Sequence, residues 1–109
     1  MDLLQLRGQL DEIDAKIVEL YEKRMEISGN VARYKIETGK KVLDKAREKE
    51  KIQTVKSLTH NEFNSHGIEE LFEQIMAVSR KLQYRIISES GGYNKLPFIK
   101  VDSLETEKA

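Results

Sequence analysis

From Leu3 to Tyr34 the apolar positions step alternately by three and four: Leu3, Leu6, Leu10, Ile13, Ile17, Leu20, Ile27, Val31 and Tyr34. That spacing is one face of a helix. It predicts a single long helix ending at Thr38-Gly39, with Asp2 as its N-cap and Gly39 as its C-cap. Ser28-Gly29-Asn30 is a soft spot, where Gly29 costs about 1 kcal/mol relative to Ala. The seam continues in phase to Val31, so the helix is read as unbroken. Its interruption is Arg24. Arg7 and Lys35 each lie four residues beyond a seam member, in a second row beside it.

Cations on a face that should be buried are costly unless something neutralises them. Acidic side chains from elsewhere are one answer, and an anionic ligand is another. On a helix, Arg24 and Lys35 are separated by roughly 16 Å, and Arg7 and Lys35 by about 42 Å. A small anion held by Arg24 and Lys35 is out of reach of Arg7 on the same helix. If all three serve one site, Arg7 comes from a second, antiparallel copy, and a two-fold axis passes near Ile17 to Tyr21. A coiled-coil seam with one polar register residue also satisfies this pattern.

The remaining elements are shorter. Lys40 to Leu43 read as a loop. Asp44 caps a second helix, Lys45 to about Leu58, with a thin stripe of Leu43, Ile52, Val55 and Leu58. Its charged opening is either a solvated turn with local ion pairs or a place where Arg47 and Glu48 enter a site. Thr59 to Ser65 read as a polar turn through Asn61 and Asn64. A third helix follows from about Gly67 to Ile87, with Ile68, Leu71, Phe72, Ile75, Met76, Leu82 and Ile86 on its buried face. Ser79 interrupts that face and Gln83 lies one turn on. Each alone is commonly a satisfied core group, but two in register beside buried cations point to a ligand pocket. Ser88 to Gly92 break the helix. Residues 1–90 are thus expected to form one helical domain, and 91–109 a tail or linker.

Composition narrows the function. The 109 residues are 39% apolar and 35% charged, with one Pro, no Trp and no Cys. That suits an all-α chain with large solvated faces, and a helix this long needs partner helices to cover its stripe. The formal net charge is zero, so no global field favours nucleic acid or a membrane surface. Disulfides, thiolate chemistry and Cys-type zinc sites are excluded. His60 and His66 have no third ligand nearby in sequence, so neither a metal nor a cofactor is expected. There is no secretory signal pattern and no apolar run that would span a bilayer, which makes a cytoplasmic protein the expectation. With no phosphate loop and no nucleophile pattern, what remains is a set of cations, a Gln, a Ser and an acid. Such groups bind carboxylates and neutral oxygens and serve reactions that need conformational capture and charge stabilisation.

The ordered set Leu6-Arg7, Asp11 to Asp14, Lys23 to Met25, Val31 to Lys35, and Asp44 to Glu48 resembles the all-helical (AroQ-type) chorismate mutases, from about Leu3 to Gln83. The resemblance implies an intertwined homodimer of three-helix chains with two shared sites. It also implies the Claisen rearrangement of chorismate to prephenate, on the route to phenylalanine and tyrosine. Under it, Arg24 and Arg7 from the other chain clamp the substrate carboxylates. Lys35 bonds a carboxylate and the ether oxygen, and Gln83 donates to that oxygen. Ser79 lies near a carboxylate, Glu48 accepts from the ring hydroxyl with Asp44 beside it, and Arg47 adds positive potential. The tail is similar to the linker that precedes a prephenate dehydratase domain in bifunctional members. An isochorismate-pyruvate lyase on the same fold and a non-catalytic helical dimerisation or regulatory module are the competing readings.

Overall fold

The computed structural model describes residues 2–91, and they form three helices: α1 (Leu3–Thr38), α2 (Lys45–Ser57) and α3 (Glu62–Glu89). The sequence expectation for 92–109 lies outside the described residues.

Local chemistry accounts for the helix ends. Asp2 accepts from the Gln5 backbone N–H at 2.8 Å, and Gln5 Oε1 accepts from the Asp2 backbone N–H at 3.1 Å, a reciprocal capping box. Gly39 closes α1 with φ 71°, in the left-handed region where a residue without Cβ carries no steric penalty. Asp44 caps α2 by accepting from the Arg47 N–H at 3.0 Å.

The third helix departs from the sequence expectation. It begins at Glu62, five residues before Gly67. Asn61 is its N-cap, accepting from the Asn64 N–H at 2.7 Å, so the asparagine read as a turn residue starts the helix instead. At the other end α3 runs two residues past Ile87.

Both α1 and α2 pack against α3. The α2–α3 pair is an antiparallel hairpin held at both ends by charge: Glu48 pairs with Arg80, and Lys56 with Glu69 at 2.7 Å. Helix α1 runs in the same direction as α3. Arg24 stacks over Phe72, 5.9 Å from the ring centroid, and five residues later Gly29 comes up to Ile86. A Cβ at Gly29 would sit 3.3 Å from Ile86 Cδ1, a tight contact that the end of the isoleucine side chain would have to relieve.

The core is thin and lies at one end. Its buried apolar residues among those described are Ala32, Val42, Ile52, Met76 and Ile87. Val42 and Ile87 meet with Ile36 and Tyr84 packed on them. Leu58 and Leu71, expected on buried stripes, are 70% and 50% exposed. The N-terminal half of α1 stands apart from this core. Every residue from 2 to 23 is exposed, and Leu10, Ile13, Ile17 and Leu20 are each more than half exposed. The seam read from the sequence is therefore present as a helical face that the described residues of its own chain do not cover.

Candidate active site

A cavity of about 330 Å³ opens where the C-terminal half of α1 meets the start of α2 and the C-terminal half of α3. Helix geometry puts its polar groups there. On α1, Arg24, Ser28 and Lys35 follow at four and seven residues, one turn and then two. On α3, Met76, Ser79, Arg80 and Gln83 follow at three, four and seven. The cap of α2 delivers Asp44, Arg47 and Glu48 together, with Lys51 one turn further.

Electrostatics favours anions. Arg24, Lys35, Arg47, Lys51 and Arg80 line the cavity against two carboxylates, Asp44 and Glu48, a surplus of three positive charges in a chain whose net charge is zero. Both carboxylates are engaged. Asp44 caps α2, and Glu48 pairs with Arg80 across the helix interface. The Lys35 ammonium donates to the Val42 carbonyl at 2.8 Å. Burial pushes its pKa below the ordinary lysine value, with the negative charges of Asp44 and then Glu48 pulling the other way. Behind these charges lies a neutral cluster. Ser28 and Ser79 hydroxyls pair with each other, and Gln83 Nε2 donates to Ser28 Oγ at 3.1 Å and, more weakly, to Ser79 Oγ at 3.4 Å. Gln83 Oε1 is buried without a hydrogen-bond partner.

Seven of the eight residues singled out from the sequence line this cavity: Arg24, Lys35, Asp44, Arg47, Glu48, Ser79 and Gln83. Arg7 does not; it is exposed near the far end of α1. At the charged opening of α2, Glu48 lines the cavity and pairs with Arg80 on α3 rather than with a neighbour on its own helix. The sequence reading missed Ser28 and Arg80. Ser28 shares the face of Arg24 and Lys35, which is the available signal, but its place beside Gly29 marks it in the sequence as part of a weak point in the helix. Arg80 is one of 19 Lys and Arg residues, and only its place between Ser79 and Gln83 distinguishes it. His60 and His66 take no part. Among the described residues no three His, Cys, Asp or Glu side chains gather as a metal site, and no helix is long and apolar enough to cross a membrane.

Fold and site together define an all-α protein with a cationic cavity between its three helices. Residues 6–84 match the family model described as chorismate mutase type II, and the chain belongs to that family. It is 31% identical over 96 residues to a bifunctional chorismate mutase/prephenate dehydratase of Buchnera aphidicola subsp. Schizaphis graminum, covering 87% of this chain and 25% of that protein. It is 30% identical over 95 residues to a chorismate mutase of Methanocaldococcus jannaschii, covering 85% of this chain and 95% of that one. The chain thus spans about a quarter of the length of the bifunctional relative and nearly all of the Methanocaldococcus protein. No solved structure matches it.

Proposed function

We propose that this chain is a chorismate mutase, converting chorismate to prephenate by an intramolecular Claisen rearrangement, and that it works as a homodimer with two shared sites. The observation that carries the reading is the convergence of Arg24, Lys35 and Gln83 on one cationic cavity in a chain of this family.

The chemistry asks for little bond-making by the protein. The substrate is a dicarboxylate that must fold so that its vinyl ether lies over the ring. Arg24 holds one carboxylate, and Arg7 from a second copy holds the other. As the ether C–O bond breaks and the new C–C bond forms, negative charge grows on the departing oxygen. Lys35 and Gln83 are the donors for it. The Lys35 ammonium donates to the Val42 carbonyl at 2.8 Å, which anchors it at the cavity with further N–H groups to offer. Glu48 accepts from the ring hydroxyl while Arg80 offsets its charge, so the carboxylate does not repel the substrate's own. Asp44 and Arg47 are set at the cavity mouth by the α2 cap, and Ser79 lies beside a carboxylate.

The dimer accounts for two features at once. The uncovered seam of α1 finds a partner, and burying the exposed half of each Leu or Ile is worth about 1 kcal/mol. A copy running antiparallel also brings Arg7 toward the site it cannot reach on its own helix.

The test is turnover. Chorismate and isochorismate are offered separately, and prephenate, salicylate and pyruvate are measured. Prephenate from chorismate is expected, and Lys35→Ala lowers kcat/KM by about 10²–10³. Salicylate from isochorismate without prephenate would make the protein a lyase. No turnover of either acid would leave a non-catalytic module.

A further inference from the structure

Ser28 has no role in the chemistry above, yet it is 6% exposed and at the centre of the neutral cluster behind the cavity. Its hydroxyl meets Ser79 Oγ and lies 3.1 Å from Gln83 Nε2. With the amide in that orientation the hydrogen bonding is incomplete. A hydroxyl both gives and accepts, so neither serine requires an N–H. Gln83 Oε1, an acceptor only, is left buried and unsatisfied, which is the costly kind of omission.

Half a turn of the carboxamide about its last bond gives Oε1 a donor and leaves the N–H groups as the unpaired end, to be met by a substrate oxygen. Ser79 O–H donates to Ser28 Oγ, Ser28 O–H donates to Gln83 Oε1, and the amide N–H groups take the position that Oε1 leaves. The protons balance: two hydroxyl hydrogens serve two acceptors, and none is transferred. We propose that Ser28 is a positioning residue, whose hydroxyl donates to Gln83 Oε1 and holds the carboxamide with an N–H directed at the ether oxygen. The proposal rests on the chorismate mutase reading of the site. A bond donated to the carbonyl end of an amide also polarises its N–H end, so the serine strengthens the donor as well as aiming it.

Ser28→Ala is a mild probe. Alanine is favoured in a helix interior, and Ser79 Oγ remains about 3.4 Å from the end of the amide that Ser28 faces. Two readouts separate positioning from packing. In steady-state turnover of chorismate by the full chain, Ser28→Ala lowers kcat about three- to tenfold with KM changed less than about twofold. The second uses Gln83→Glu, in which the side chain donates only when protonated, so activity falls as pH rises through that carboxyl's pKa. A hydroxyl donating to the carboxylate lowers that pKa. Adding Ser28→Ala to Gln83→Glu therefore moves the falling limb to higher pH by about half a unit or more. A kcat for Ser28→Ala less than threefold below wild type, or a limb that stays in place, overturns the proposal. A wild-type chain that leaves chorismate unchanged overturns the mutase reading itself. A fast wild type with an equally fast Ser28→Ala removes only the role given to Ser28.

Discussion

Lys35 shows how one side chain ties burial to function. Its folded-state pKa is lowered by burial, with Asp44 and Glu48 opposing. Between that value and the higher one of the unfolded chain, the unfolded chain binds the extra proton. The ammonium thus costs stability at lower pH, and stability rises as pH climbs through this window. A bound dianion acts in the opposite sense, favouring the charged form, so binding takes up a proton there. The expected profile has kcat/KM falling on the alkaline side at a pH below the ordinary lysine range, while kcat holds to higher pH. Asp44→Asn keeps a side chain that caps α2 but removes the largest of the pulls that raise the Lys35 pKa. Its alkaline limb should move to lower pH, and a limb that stays put would show that Lys35 is not the group reported. Residue identity at the site was legible where an unusual type stood on an apolar face, as with Arg24, Ser79 and Gln83. Ser28 and Arg80 were not, because their significance comes from partners on another helix, Gln83 and Glu48, which no spacing along one helix reveals.

At the level of elements, α1 and the start of α2 followed from periodicity and capping, since both are local properties of the chain. The start of α3 did not, because Asn61 and Asn64 serve a turn or an N-cap equally well, and only the bond to the Asn64 N–H distinguishes them. The buried faces were read less well. Val42 and Ile87 meet where the loop and the end of α3 converge, with Ile36 and Tyr84 packed on them, and a loop residue such as Val42 carries no periodic signal of that. The two glycines inside α1 respond to different constraints. Gly29 faces Ile86, whereas a Cβ at Gly8 meets nothing within 4 Å, and Gly8 points away from the apolar seam. Gly8→Ala should therefore raise stability by about 1 kcal/mol, read from denaturant midpoints, and should do so without altering assembly. A loss of stability would show that a second surface packs on that face.

For the whole molecule, the governing feature is imbalance. A helix about 54 Å long carries its core at one end and an uncovered row of Leu and Ile at the other, while seven of eight expected site residues gather at the covered end and Arg7 stands at the bare one. The proposed two-fold pairing of α1 would resolve both: it would cover the seam and complete each site with the other chain's Arg7. The sequence points to that proposed pairing only through length: two cations at opposite ends of one helix cannot meet on one small ligand.

The most direct measurement mixes two defective chains. Arg7→Ala and Lys35→Ala are each purified, shown to be nearly inactive toward chorismate, then unfolded together in equal amounts and refolded. If each site takes Lys35 from one chain and Arg7 from the other, half the dimers are mixed and each has one intact site, so activity returns to about one quarter of wild type. If the mixture stays as inactive as its components, Arg7 and Lys35 do not share a site across two chains, and the account is contradicted.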